Sequence, residues 1–211
     1  MLFLAPAARA EVPVVLVVGD SLSAGYGIAR IDAWTSLLQE RLAEQGFPHR
    51  VVNASISGDT TRGGLARLPA ALGEHNPSIV VIELGGNDGL RGIPVREIRE
   101  NLAAMIEMSR DAGAEVLLAG VHIPPNYGPR YTEEFHRVYH DLAAEYGTAL
   151  VPFILDGVAL EDGLMQGDGL HPNAAGQPVM LDNVWPALAP LLGPAALPAP
   201  AGDAIPARGR E

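Results

Sequence analysis

Short apolar runs alternate along this chain with longer stretches in which apolar residues recur at helical spacing. The runs are Pro13–Val18, Arg50–Asn53, Ile79–Leu84, Glu115–Ala119 and Ala149–Phe153, each bounded by polar or turn-forming residues. Runs of that length read as strands. Between them, Trp34, Leu37, Leu38 and Leu42 form a helical stripe, with Asp32 as its expected N-cap and Gly46 as terminator. Val95, Ile98, Leu102 and Met105 form a second stripe, with Pro94 at its start and Gly113 past its end. Phe135, Val138, Tyr139, Leu142 and Tyr146 form a third, closed by Gly147. Strand-helix alternation predicts an α/β fold in which a parallel sheet lies between helices. Ligands of such sheets gather beyond the carboxyl ends of the strands. Ser21, Gly58, Asn87 and His122 all stand just past a strand. No internal repeat is visible.

The chain has 211 residues, 48% of them hydrophobic, which suits one domain with a substantial core. That domain is expected over residues 11–193. From about Gly193 the sequence is rich in Pro, Ala and Gly without periodicity, so 194–211 reads as a disordered tail. At the other end, Ala8-Arg9-Ala10 fits the small-residue pattern of signal cleavage. Residues 1–10 therefore read as the remnant of a secretory signal, truncated because its basic n-region is missing, and they predict a periplasmic or secreted protein. The other reading is an ordinary frayed terminus.

Charge and two absences narrow the chemistry. A formal net charge of -11 argues against nucleic acid and against adsorption to anionic lipid. No run is long and apolar enough for stable membrane insertion. The chain has no cysteine, which excludes a thiol nucleophile and Cys-ligated metals. It also has no lysine: all 14 basic residues are arginine, so Schiff-base chemistry and a Ser-Lys dyad are excluded.

What remains is serine chemistry. The strand ending at Val18 delivers Gly19-Asp20-Ser21-Leu22-Ser23, and Asp168 stands three residues before His171 in Gly167-Asp168-Gly169-Leu170-His171-Pro172. Taken alone, Asp20-Ser21 is turn chemistry, and an acid near a histidine is surface capping. Together they supply a nucleophile, a base and an orienting acid in the order Ser, Asp, His. Gly58 can offer a backbone N–H, and Asn87 a side-chain amide, to a developing oxyanion. The segment departs from the G-x-S-x-G elbow because Ser23 occupies the later glycine position. His136 and His140 have the i, i+4 spacing of a zinc motif, but Arg137 stands where such a motif needs Glu, so no metal is expected.

Gly19-Asp20-Ser21-Leu22, Gly58, Gly86-Asn87-Asp88 and Asp168 with His171 resemble, in order, the four blocks of the SGNH (GDSL) hydrolase family. The stretches Asn53–Thr60, Glu83–Gly92, Pro125–Gly128 and His171–Asn173 are similar to its bacterial periplasmic thioesterase I/lysophospholipase L1/arylesterase branch. The resemblance spans Val12 to Leu192. It implies a flavodoxin-like three-layer α/β/α sandwich with a five-stranded parallel sheet. It also implies Ser21 as nucleophile, His171 as base and Asp168 as the group orienting it. The oxyanion hole would be the Ser21 and Gly58 N–H groups with the Asn87 side chain. No cofactor is implied. The substrates implied are aryl esters, long-chain acyl thioesters and lysophospholipids, and a monomer is expected. Leu90, Ile93, Ile123, Pro124 and Tyr127 are the expected substrate-binding set, because they follow the third and fourth strands on the ligand edge. The rival readings are a carbohydrate acetylesterase or peptidase using the same site, and a catalytically silent binding module.

Overall fold

The computed structural model describes residues 12–195. The expected signal remnant over 1–10 and the tail from 196 onward lie outside these residues. The described chain runs β1 (Val14–Gly19), α1 (Ser21–Ala24), α2 (Trp34–Glu44), β2 (Arg50–Asn53), α3 (Thr61–His75), β3 (Ile79–Glu83), α4 (Gly86–Leu90), α5 (Val95–Asp111), β4 (Glu115–Ala119), α6 (Pro129–Tyr146), β5 (Ala149–Val151) and α7 (Gln177–Leu188). The five strands form one parallel sheet in the order β2-β1-β3-β4-β5. Helices α3, α5 and α6 pack side by side on one face, and α2 and α7 pack together on the other. The result is a three-layer α/β/α sandwich.

Every residue of β1 and β3 is buried. That is why both read as unbroken apolar runs: central parallel strands are covered on both faces. Strand β5 stops at Val151 rather than Phe153, since Pro152 has no N–H to continue the ladder. Asp32 does not cap α2. It closes a 3₁₀ turn over Arg30–Asp32, and Ala33 occupies the cap position with no side-chain bond. The Trp34 N–H is satisfied from α7 instead, by Gln177 Oε1 at 2.9 Å. Both residues are buried, so this helix start is held by a tertiary bond that no local pattern encodes.

The order of strands places the site. From β1 the chain steps out to β2 at one edge, then returns through α3 to β3 on the other side of β1. The connections leaving β1 and β3 therefore diverge, opening a crevice at their carboxyl ends. Gly19 pairs with Glu83 in the parallel register, so the segments carrying Ser21 and Asn87 leave the sheet side by side.

Candidate active site

Ser21 opens α1, the short helical turn that follows β1 directly. Asp20 caps this turn by accepting the Leu22 N–H on Oδ1 at 3.0 Å. Gly19 is required by close approach: a Cβ there would lie 2.8 Å from Glu83 Oε2 and from Ser23 Oγ. Ser23, which departs from the elbow pattern, is turned inward and donates its hydroxyl to Glu83 Oε2 at 2.7 Å.

The loop after β5 brings the histidine over. An antiparallel bridge joins Met165 to Pro172, and the Gln166 N–H donates to His171 O at 2.7 Å. Gln166 Nε2 donates to Tyr26 O at 2.7 Å, which ties this loop to the one behind Ser21. Asp168 accepts the N–H groups of Leu170 and His171 on Oδ1 at 2.9 and 3.0 Å. Its Oδ2 lies 2.7 Å from His171 Nδ1. On the far side of the ring, Nε2 stands 2.9 Å from Ser21 Oγ. Asp168, His171 and Ser21 thus form one continuous hydrogen-bonded line. These bonds to His171, side chain first and then backbone, hold the Asp168 carboxyl well below the usual carboxylate range. It stays ionised and fixes the tautomer that leaves Nε2 free to accept the serine proton.

Asn87 lies in α4, just past β3, and its Nδ2 donates to Asp20 Oδ2 at 2.9 Å. One N–H of the amide is engaged there and the second is left for the cavity. Gly58 has φ of 81°, a left-handed turn that only glycine adopts cheaply, and Arg91 clamps its carbonyl at 3.0 Å. Neither the Ser21 nor the Gly58 N–H donates to an acceptor among the described residues.

Behind this array sit two buried acids that the sequence reading did not assign. Asp20 is 2% exposed, and burial pushes its carboxyl up to about 6. Glu83 is fully buried and pushed well above its ordinary value, by burial first and then by the neighbouring Asp20 charge. Glu83 Oε1 has no hydrogen-bond partner among the described residues. Beside them, Asp88 accepts the Thr61 hydroxyl at 2.6 Å and the Thr61 N–H at 2.9 Å, which fastens α4 to the start of α3.

A cavity of about 450 Å³ opens beside Ser21, Asn87 and His171. Its lining is chiefly apolar. Leu90, Ile123 and Pro124 from the expected set belong to it. Ile93 and Tyr127 do not. Ile93 packs against the core, and its carbonyl accepts the Tyr131 hydroxyl, while Tyr127 turns its hydroxyl back onto Leu90 O. Following a strand places a residue near the ligand edge without aiming its side chain. Leu155, Ala159, Leu160, Met165 and Leu170 complete the wall. They come from the loop between β5 and α7, which carries no periodicity to reveal them. A roomier hollow of about 560 Å³, lined by Pro13, Arg50 and His75, opens at the amino ends of the strands, away from the serine. His136 Nε2 accepts the Ile123 N–H at 3.3 Å, so that nitrogen is not free to ligate. Among the described residues no cluster of three or more His, Asp or Glu is arranged to hold a metal.

A serine bonded to a histidine at the switch point of a parallel sheet, with unpaired donors and an apolar cavity alongside, is the layout of a serine hydrolase. Residues 17–179 match the GDSL-like lipase/acylhydrolase family, and the chain belongs to it. It is an ester-bond hydrolase. The chain is 58% identical over 184 residues to esterase TesA of Pseudomonas aeruginosa, covering 87% of this chain and 92% of the relative. It is 44% identical over 183 residues to thioesterase 1/protease 1/lysophospholipase L1 of Escherichia coli, covering 87% and 86%. Among solved structures, esterase EstA of Pseudoalteromonas sp., inhibited by monoethylphosphonate, superposes with a TM-score of 0.81 at 40% identity, covering 85% of this chain and 98% of that one.

Proposed function

We propose that the enzyme hydrolyses carboxylic esters and acyl thioesters of medium to long acyl chains through an acyl-enzyme on Ser21. The observation that carries this is the 2.9 Å contact of Ser21 Oγ with His171 Nε2 at the mouth of an apolar cavity. His171 takes the serine proton as Oγ attacks the acyl carbonyl, and Asp168 stabilises the imidazolium that forms. The oxyanion is met by the Ser21 and Gly58 N–H groups and the free N–H of Asn87. The tetrahedral intermediate collapses as His171 returns the proton to the leaving alcohol or thiol. Water then repeats the cycle with the acyl-enzyme, releasing the acid and restoring Ser21. All of these groups come from one chain, so a monomer is sufficient.

The cavity volume falls in the range of small-molecule sites. Each acyl CH₂ buried against Leu90, Ile123, Leu155 or Met165 contributes up to about 0.8 kcal/mol. Aryl esters, acyl-CoA and lysophospholipids present such chains, and the relatives' names include arylesterase, thioesterase and lysophospholipase. The test is a chain-length profile. kcat/KM should be higher for p-nitrophenyl octanoate than for the acetate, and palmitoyl-CoA should be cleaved. A clear preference for acetate together with deacetylation of acetylated xylan overturns the acyl reading in favour of a carbohydrate esterase. Export belongs to the same proposal and rests on the Met1–Ala10 pattern. N-terminal sequencing of protein recovered from the periplasm should read from Glu11, and an intact Met1 in the cytoplasm refutes it.

A further inference from the structure

His122, His136 and Phe153 form a stack at the edge of the acyl cavity. The His122 ring lies face to face with Phe153 at 4.0 Å and 5°. Its other face covers His136 at 4.1 Å and 27°. His122 and Phe153 line the cavity, and Ile123 and Pro124 follow in the same wall. His136, on α6, holds that wall from behind, because its Nε2 accepts the Ile123 N–H at 3.3 Å. Only an uncharged ring can do this. Once protonated, Nε2 becomes a donor facing a donor, and the Ile123 backbone loses its partner.

The surroundings oppose charge on the stack. Partial desolvation lowers the affinity of both rings for a proton, although His122 keeps an exposed edge at the cavity mouth. For His122, the neighbouring His136 and then His140 act in the same direction, and Asp156 opposes them. Asp20 and His171 line the same cavity. Phe153 accepts either state of His122, since a cation is attracted to an aromatic face. The sensitivity therefore lies on the His136 side.

We propose that the His122–His136 stack sets acyl-chain preference: uncharged, it holds Ile123 in a closed apolar wall, and its protonation loosens that wall and shifts preference toward short chains. This rests on the acyl-cavity reading above. The readout is the ratio of kcat/KM for p-nitrophenyl octanoate to that for the acetate, followed from about pH 7.5 to about pH 5. Any change in the shared catalytic groups lowers kcat/KM for both substrates alike and cancels in the ratio. The ratio should fall about fourfold on acidification, the worth of one buried methylene. In the His122→Phe/His136→Gln double variant, where neither side chain titrates, it should stay flat. Inhibition of the wild-type enzyme by 1-octanol, an uncharged probe, should weaken by the same factor without any mutation. A pH-independent ratio with octanoate still preferred overturns the histidine proposal alone, as does an equal fall in the double variant or octanol inhibition unaffected by pH. Acetate preferred at every pH removes the acyl-cavity reading and this inference with it.

Discussion

Replacing Asn87 with alanine separates two jobs that one amide performs. One N–H of Nδ2 is bound to Asp20 Oδ2 at 2.9 Å, and the other is the one proposed to meet the oxyanion. Loss of an oxyanion donor typically costs about a hundred- to a thousandfold in kcat, or about 2.7–4 kcal/mol. KM should change little, because this hydrogen bond strengthens only as negative charge develops. The second job is structural. Asp20 keeps the Leu22 N–H at 3.0 Å but loses its side-chain donor. A hydrogen bond to a charged group contributes about 1.5–3 kcal/mol. Asp20 borders the cavity, so water offsets part of the loss and about 1 kcal/mol remains, or about 2–4 °C in Tm for a domain of this size.

The pH dependence of that second effect has a definite sign. Burial raises the folded pKa of Asp20 to about 6, against an unfolded value of about 3.9. A raised carboxyl destabilises the folded state increasingly as pH climbs from the unfolded to the folded value. The Asn87 bond opposes the rise, so its removal drives the folded value higher and extends the window upward. The Tm deficit of Asn87→Ala should therefore be largest above about pH 6 and shrink below about pH 4, where Asp20 is protonated in both states. Steady-state hydrolysis of p-nitrophenyl butyrate and thermal melts at the two pH values test both claims. A kcat within about threefold of wild type refutes the oxyanion role, far short of the loss such donors give. A Tm deficit independent of pH refutes the Asp20 linkage.

Ser21→Ala and His171→Ala should each lower kcat by several orders of magnitude, and the double variant should lose little more, because the two act as a unit. A serine-directed phosphonate followed by peptide mass mapping should label Ser21; labelling of Ser55 or Ser57 contradicts the assignment. Asp168→Asn should keep the fold and lower kcat about a hundredfold or more by freeing the wrong His171 tautomer. The depressed Asp168 carboxyl contributes stability above its unfolded pKa and loses it only as pH falls through the lower folded value. The acid limb of the wild-type kcat/KM profile should therefore not include Asp168, and a carboxyl signal from it titrating between about pH 4 and 6 in carbon-13 NMR runs against this. Glu83→Gln should abolish the part of the stability decline that begins near about pH 4.3, where the unfolded glutamate ionises and the buried one does not. An unchanged slope of Tm against pH means Glu83 is ionised in the fold.

The elements legible in the sequence are those that bury a whole face. The apolar runs of β1, β3 and β4 and the stripes of α2, α5 and α6 state their own burial. Helices α3 and α7 went unread for a physical reason. Gly63, Gly64, Gly73 and Pro69 dilute the α3 pattern, and Pro178 and Pro186 break up α7, so tertiary packing overrides weak local propensity in both. Within the site, the polar residues could be picked out because their chemistry is restrictive: a serine, a histidine and a carboxylate in order leave few other readings. The apolar wall had no such signature. Leu155, Ala159 and Leu160 acquire their role from the path of an irregular loop. Leu160 even adopts φ of 67° at the cavity edge, a left-handed conformation that leucine takes only when the loop around it dictates it.

The pairing of Gly19 with Glu83 explains why the polar half of the site is so compact in sequence. Parallel strands leave a crevice only where their connections diverge, and β1 and β3 flank that point. Two short turns, Asp20–Ser23 and Gly86–Leu90, then suffice to bring Ser21 and Asn87 together. The same geometry forces Asp20 and Glu83 into the interior, where burial raises both carboxyls and the Asp20 charge raises Glu83 further. Such a pair is a poor source of stability. It does fix positions. Glu83 accepts from Ser23 and from the Asp20 N–H at 3.4 Å, which braces the turn presenting the nucleophile, and Asp20 in turn orients the Asn87 amide. The two groups proposed to meet the substrate carbonyl, Ser21 and Asn87, are thus held by one buried network at the sheet's switch point, while His171 arrives on a separate, partly exposed loop. Stability is given up behind the nucleophile, and the rigidity gained there is what an oxyanion site requires.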